Sequence, residues 1–479
     1  MFTRTLNALA LVLLLSSRAA AGPVEVLEGI NIAPGDPSTL VMRYRFAGGG
    51  LFVSHDAGKT FSFLCGSAVD ASVQREASAL TLRKDGSILL GVFNGLWGGD
   101  RDACGWSATK AFSGQWVNDF AADPQDAMRT YAVTSAGGQP NGIYVNTSGS
   151  DSWTAVGTQE EILINRLHAV DLGASKTRLY ESAVRGTIPQ PAVDGGLADE
   201  LPNYVLRFSD DAGKTWTEHE FGATDGTMRL LAVDPTNPQR IVVGVLRDDV
   251  GIEPVPDDLM FSTAAGKPGT FKKIGSVGEL GGVSFAPDGR LFYGDRYQSA
   301  PGLYVVSKLG SAPKQLSTAY KVSCLNYDAQ SDKLYVCKDT VLGTVSPDNG
   351  DFSSLFDIKL ASTFVSCAGE DPTAGRCESQ LLKGFCGFTH YPCAPLCFDY
   401  GVRDNNGALE ADSCSDAGVS QQTPEAGMPS QDAGVTGKKP SSSSCACSAP
   451  GSASGAPGLL AFTLLGLVLR LGVGRRRAS

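Results

Sequence analysis

Seven times along the chain, a turn containing aspartate is followed by a run of β-forming residues, and this recurrence constrains the fold more than any other feature. The phrase reads Ala122-Asp123-Pro124 before Tyr131-Ala132-Val133, Val233-Asp234-Pro235 before Ile241-Val242-Val243, and Ala286-Pro287-Asp288-Gly289 before Leu291-Phe292-Tyr293. Further instances centre on Asp36, Asp85, Asp171 and Asp328, so successive units lie 49, 38, 48, 63, 54 and 40 residues apart. A period of roughly 40 to 50 residues holding several short strands is the signature of propeller blades, because a single four-stranded sheet cannot bury both faces until neighbours pack against it. Glycine, at 57 of 479 residues, supplies the positive φ of tight turns and weakens helix interiors. We expect an all-β fold, a β-propeller of seven four-stranded blades over residues 22–360, with one blade more or fewer left open.

Two octapeptides sharpen this reading. Ser54-His55-Asp56-Ala57-Gly58-Lys59-Thr60-Phe61 and Ser209-Asp210-Asp211-Ala212-Gly213-Lys214-Thr215-Trp216 share the form Ser-x-Asp-x-Gly-x-Thr-aromatic. Aspartate oxygens accept bonds from turn amides, Gly supplies a left-handed conformation, and Thr with an aromatic residue starts the next strand, so the motif reads as a hairpin clasp. Weaker copies run over 146–153 and 262–271. The pattern resembles the BNR/Asp-box repeats of sialidases, sortilin-type receptors, photosystem-assembly factors and many exported bacterial propellers. That resemblance implies that the boxes sit at the blade periphery, away from the central mouth. Asp56, Gly58, Thr60, Phe61, Asp211, Gly213, Thr215 and Trp216 are then structural and not catalytic.

The ends carry an address. Arg4, an apolar run from Ala8 to Leu15 and Ala19-Ala20-Ala21 make residues 1–21 a secretory signal, the run being too short to span a bilayer. Export then passes through Sec-type machinery. At the other end Cys445-Ala446-Cys447, an apolar stretch from Gly458 to Val473 interrupted by Arg470, and Arg475-Arg476-Arg477 occupy residues 445–479. This order resembles the MYXO-CTERM sorting tag of myxobacterial surface proteins. The resemblance implies a transmembrane helix cut by a dedicated sorting protease, with Cys445 and Cys447 as processing or lipidation residues. A plain single-pass anchor is the alternative. Either places the body on the outer surface of the envelope, or secreted after tail processing. Residues 415–444, rich in Ser, Gly, Pro and Gln without apolar periodicity, form a disordered linker.

Eight of the 40 basic residues lie in these ends, leaving 32 against all 50 acids, a net of −18 over residues 22–437. Such a body repels phosphate backbones, so a nucleic-acid partner is excluded from the expectation.

Of 12 cysteines, ten belong to the body, and an even count in an oxidising compartment implies disulfides. Cys324 and Cys337 flank a turn and can staple neighbouring strands; Cys65 and Cys104 form the other early pair. Cys367, Cys377, Cys386, Cys393, Cys397 and Cys414 crowd together, which we read as a disulfide-rich module over 361–414 with 15 possible connectivities. A zinc site using His390, Cys393 and Cys397 is the competing reading.

Catalytic constellations are sparse. The sequence has no Gly-x-Ser-x-Gly elbow, no His-Glu-x-x-His and no Walker loop. The sialidases have a Phe/Tyr-Arg-Ile/Leu-Pro motif, and the nearest stretch, Met42-Arg43-Tyr44-Arg45-Phe46, lacks the Pro and the order. His55, His168, His219 and His390 show no ligand spacing and read as solvated or structural. The acidic stretch Asp248, Asp249, Glu253, Asp257 and Asp258 reads as a solvated insertion and candidate binding loop, calcium being the alternative despite Pro254 and Pro256. We expect no catalytic residue, cofactor or metal, and a surface-displayed module binding an extracellular glycan or protein. The alternative is a glycoside hydrolase or lyase at the propeller mouth.

Overall fold

The computed structural model describes residues 27–367, apart from 45–49, 70–76, 186–201, 248–254, 298–300, 359–362 and positions 127, 150, 223, 225, 320, 339 and 366. The expected signal, linker and sorting tag lie outside the described residues. So do Cys377, Cys386, Cys393, Cys397, Cys414, His390, Asp248, Asp249, Glu253 and the side chain of Cys65.

Seven antiparallel sheets follow one another along the chain, each built from four consecutive strands. Blade 1 covers 27–65, blade 2 77–108, blade 3 117–160, blade 4 162–222, blade 5 227–277, blade 6 280–317 and blade 7 324–357. The expected seven-bladed propeller is the observed fold. First strands of successive blades pack side by side, and the first strand of blade 7, Cys324–Asp328, packs on that of blade 1, Leu27–Ala33, which completes the ring.

Sequence explains the radial order within a blade. Second strands such as Ile88–Val92, Thr130–Thr134 and Leu291–Asp295 are buried along their whole length. Both faces of these strands meet a neighbouring blade, so they read as continuous apolar runs, each fully buried Val, Leu, Ile or Phe contributing about 1.5 to 3 kcal/mol. Fourth strands such as Thr154–Glu160 and Lys314–Ser317 carry mostly polar residues and lie largely exposed at the rim.

All seven aspartates of the recurring phrase lie at the junction of first and second strands, Asp36, Asp171 and Asp328 at or near a strand end and the other four in the turn itself. Each accepts the backbone N–H two residues on: Ser38 on Asp36, Ser87 on Asp85, Gln125 on Asp123, Gly173 on Asp171, Thr236 on Asp234, Arg290 on Asp288 and Gln330 on Asp328. The repeat is therefore a repeat of Asx turns, in which the side chain stands in for a backbone acceptor.

Ring closure uses a device that the sequence did not disclose. A short strand after blade 7, Thr363–Phe364, pairs in parallel with the fourth strand of blade 1, Ser62–Cys65, making that sheet five-stranded. Three residues later Cys367 is bonded to Cys104, in the last turn of blade 2. The expected pairing of Cys65 with Cys104 is thus corrected, and Cys367 is tied to the propeller. The reason is spatial: the chain returns beside blade 1 only after completing the ring. Cys324 and Cys337, directly opposite on the first two strands of blade 7, form the expected disulfide.

Candidate functional site

Two places in this architecture hold chemistry-bearing side chains, and antiparallel connectivity puts them on opposite faces. Turns between first and second and between third and fourth strands share one face. The links between second and third strands, and from blade to blade, share the other.

The turns with the Ser-x-Asp-x-Gly-x-Thr-aromatic form (boxes) lie on the first of these faces. In blade 4, Asp211 Oδ1 accepts the Thr215 N–H at 2.8 Å and the Ser209 hydroxyl at 2.7 Å, Oδ2 accepts the Thr215 hydroxyl at 2.6 Å, and the Gly213 N–H donates to Ser209 Oγ at 2.8 Å. Blade 1 repeats the pattern around Asp56, whose oxygens accept Lys59 N–H, Thr60 N–H and the Thr60 hydroxyl. Gly213 sits at φ +92°, where a side chain would be strained. Burial opposes it, but the bonds led by Thr215 hold the Asp211 carboxyl at about 2, and those led by Thr60 lower that of Asp56. In the weaker copies the amide of Asn146 and the hydroxyl of Ser262 receive the turn N–H groups of Gly149 and Gly266.

The box aromatics reach the preceding blade. Phe61 packs on Phe356 of blade 7 at 4.6 Å, Trp153 on Phe112 beyond the last strand of blade 2 at 5.3 Å, and Phe271 on Phe221 of blade 4 at 4.9 Å between ring centroids. Trp216 instead covers the guanidinium of Arg207, whose other partners are Glu160 of blade 3 and Glu181 and Glu218 of its own blade. A further copy, in blade 2, does not carry the motif in its sequence because its acceptor is Asp100: it takes the N–H of Asp102 and Cys104, while Trp106 donates to the Ala103 carbonyl.

The second place is the central channel, about 820 Å3, lined by the first strands of all seven blades. Its charged lining is Arg43, Arg166, Arg229, Arg247 and Arg296 against Asp119, Asp257 and Glu279. Cations therefore outnumber anions in the channel of a strongly acidic body. Most of them gather at the face opposite the boxes: Arg43 near the end of its second strand, Arg247 and Arg296 just past theirs, and Glu279 in the link to blade 6. The rest of the wall is neutral and mixes small residues such as Gly29, Gly281, Gly282, Ala79 and Ala121 with larger apolar ones such as Leu80, Phe120, Leu231, Leu246 and Leu325.

Each anion is engaged. Asp119 Oδ2 accepts the N–H of Leu167 in the next blade at 2.9 Å, and Oδ1 lies 3.5 Å from Arg166. Asp257 accepts the N–H of Arg247 at 2.9 Å and, across the blade boundary, that of Leu280 at 3.0 Å. Glu279 pairs with Arg296. An inner strand has one edge without a partner strand, and its amides must find acceptors elsewhere. Asp119 and Asp257 are two of these acceptors. Asn118, Asn165 and Asn326 serve the same seam from the donor side, bonding the Ile164, Met228 and Ile30 carbonyls of the next blade.

His168 lines the channel beside this group. Burial holds its pKa down to about 4, with Asp119 pulling up and Arg166 pushing down, and the ring is neutral at pH 7. Of the acidic stretch, Asp257 is the seam acceptor and Asp258 binds Arg247 at 3.1 Å and Lys273 at 2.6 Å, so these two are engaged by the protein. Among the described residues no group of three or more His, Cys, Asp or Glu is arranged to hold a metal ion. None of their helices is long and apolar enough to cross a membrane. His55 meets Asp102 of blade 2 at 3.3 Å, and His219 packs on Phe208.

Sequence reading passed over the channel arginines because five blades' worth of chain separates them. The available signal was a charged residue interrupting an apolar inner strand, as Arg166 does in Ile162–Gly173 and Arg229 in Thr227–Val233.

No family model matches the chain, and no curated protein matches it. Among solved structures it is similar to a GH74 enzyme of Niastella koreensis, with 14% identity, 71% of this chain and 66% of that one covered, and a TM-score of 0.38. It is also similar to the extracellular domain of a two component system of B. thetaiotaomicron, with 12% identity, 68% and 38% covered, TM-score 0.43. A third is the β-propeller domain of the Trilobed protease from Pyrococcus furiosus, with 11% identity, 70% and 98% covered, TM-score 0.42. The chain thus spans less than two thirds of the first structure and about two fifths of the second. Likenesses this distant carry no activity across, and the seven-bladed assignment stands on the strand order of the molecule itself.

Proposed function

We propose that the chain is an exported, surface-displayed binding module that engages a glycan or protein partner at the arginine-lined mouth without catalysis. The observation that carries this reading is the state of the mouth carboxylates. Asp119 and Asp257 are held by backbone N–H groups of the next blade and Glu279 by Arg296, so each is committed to the seam or to an ion pair. A general acid or base must instead have an oxygen free to reach substrate, and glycoside hydrolysis needs two such carboxyls, where among the described mouth residues only Glu279 keeps one. The address follows the sorting signals of the sequence, and the two disulfides suit an oxidising compartment.

A glycoside hydrolase or lyase draws on one observation: the carboxyl of Asp257 is raised, chiefly by burial, as a general acid requires. Both its oxygens are nonetheless occupied by amides. Incubating the full chain with a panel of bacterial and host polysaccharides and reading the glycans by mass spectrometry separates the two. Retention at unchanged length is the expected result; shortened products would move the assignment to the hydrolase.

A further inference from the structure

Arg229 stands alone in the channel. It lies on the first strand of blade 5, lines the cavity, and makes no ion pair or hydrogen bond with any described residue; its Nε is buried without an acceptor. Every other arginine of the lining has an engagement in the protein. Burial, and then the charge of Arg166, hold its pKa down to about 10 against the pull of Asp119, and the guanidinium remains a cation at neutral pH. A half-buried guanidinium whose Nε meets no acceptor lacks the counter-charge that its neighbours have, and an anionic ligand would supply it.

The lining also indicates the kind of ligand. One unpaired cation, assisted by Arg166 that is shared with Asp119, balances a single negative charge, which fits a carboxylate or a sulfate ester better than a phosphate monoester dianion. The arginines, with Asn31 and Thr81, give the lining polar groups of the kind that bond a hydroxylated ligand. On the same face, the turn between second and third strands of blade 2 presents Phe93, 60% exposed, with its ring 5.6 Å from that of Trp116 in the link to blade 3. Exposed Phe93 with half-buried Trp116 behind it, on the face that also carries the cationic mouth, suits a ligand with one apolar and one hydroxylated face, which is a pyranose ring.

Resting on the reading of the mouth as a binding site, we propose that it takes an acidic glycan, with Arg229 and Arg166 receiving a monoanionic substituent and Phe93 with Trp116 stacking a sugar ring. Charge is the discriminating feature. The ligand is held through a carboxylate or sulfate ester, and the neutral form of the same glycan is refused.

Calorimetric titration of the full chain with a galacturonate oligomer, its fully methyl-esterified counterpart, a dextran sulfate oligomer and an oligoglutamate peptide tests this. The acid oligomer is expected to bind and the ester not to, while dextran sulfate binding alone would identify sulfate as the source of charge. Arg229→Gln is expected to lose about 10- to 100-fold in affinity, and Phe93→Ala about 3- to 10-fold. Arg229→Lys, which keeps the charge, is expected to retain part of the binding. Lys314→Gln, on the exposed fourth strand of blade 6, is expected to bind as the parent does. Thermal melts confirm that each variant folds. Equal binding of acid and ester, or undiminished binding by Arg229→Gln, overturns the proposal and leaves the mouth a binding site of other specificity. Binding of oligoglutamate in place of both glycans overturns the glycan assignment, and silence from all four probes overturns the anion site.

Discussion

Asp211 and Glu181 are acids of the same blade whose surroundings push them in opposite directions. Asp211 is exposed, and hydrogen bonds outweigh the burial that opposes them, taking its carboxyl from 3.8 to about 2. A carboxyl lower in the folded than in the unfolded state contributes stability that is complete above its unfolded value and disappears as pH falls towards 2. Asp211→Ala is expected to cost about 1 kcal/mol, as for a lost turn cap or hydrogen bond, with water replacing part of what is removed. Acid melts of the variant should be less steep between pH 4 and 2 than those of the parent. Glu181, 2% exposed and beside Arg207, is raised from 4.5 to about 7, chiefly by burial. The folded chain then holds a proton that the unfolded chain has released, so stability falls as pH rises from about 4.5 to 7. Glu181→Gln should raise the melting temperature at pH 8 and leave it nearly unchanged at pH 4, since Arg207 keeps Glu160 and Glu218. A variant that melts lower at pH 8 would contradict this.

Between residue and molecule the unit is the inner strand with its seam. A methyl group at Gly281, at the start of blade 6, would lie 1.6 Å from the Val322 carbonyl oxygen ahead of blade 7. Backbone cannot rotate away as a flexible side chain can. Gly281→Ala is therefore expected to cost about 2 to 3 kcal/mol, in the range of overpacked cores, and chemical denaturation measures it. The same elements mark what sequence reveals. Asx turns and boxes were legible because their chemistry closes within a few residues, as in Asp234 with Thr236 or Asp211 with Thr215. The copy at Asp100 was hidden by a change of acceptor. Arg229 was illegible as a site residue because its meaning depends on Asp119 and Arg166, brought alongside by blades folded more than 60 residues earlier in the chain. That Phe61, Trp153 and Phe271 seat on the preceding blade or its link follows only from the closed ring.

At the scale of the whole molecule, the ring is fastened by a strand and a disulfide that join its two ends. Cys104 and Cys367 are 263 residues apart, against 13 for Cys324 and Cys337. Chain-entropy reasoning makes the long link worth more, about 5.5 kcal/mol against about 3, before any relaxation of the folded state. Cys104→Ser should thus lower the denaturation midpoint more than Cys324→Ser does; the reverse order would show that the terminal strand closes the ring unaided. With the ring closed, the box face and the mouth face are chemically distinct, one a set of satisfied turns, the other a channel with an unpaired cation. Hydrogen–deuterium exchange of the full chain, with and without the galacturonate oligomer, measures which face meets a partner. Slowed exchange is expected in the inner strands Ile162–Gly173 and Thr227–Val233 and in the links at the mouth, with the boxes at 54–61 and 209–216 unchanged. Protection at the boxes, or none at the inner strands, would contradict binding at the arginine-lined mouth.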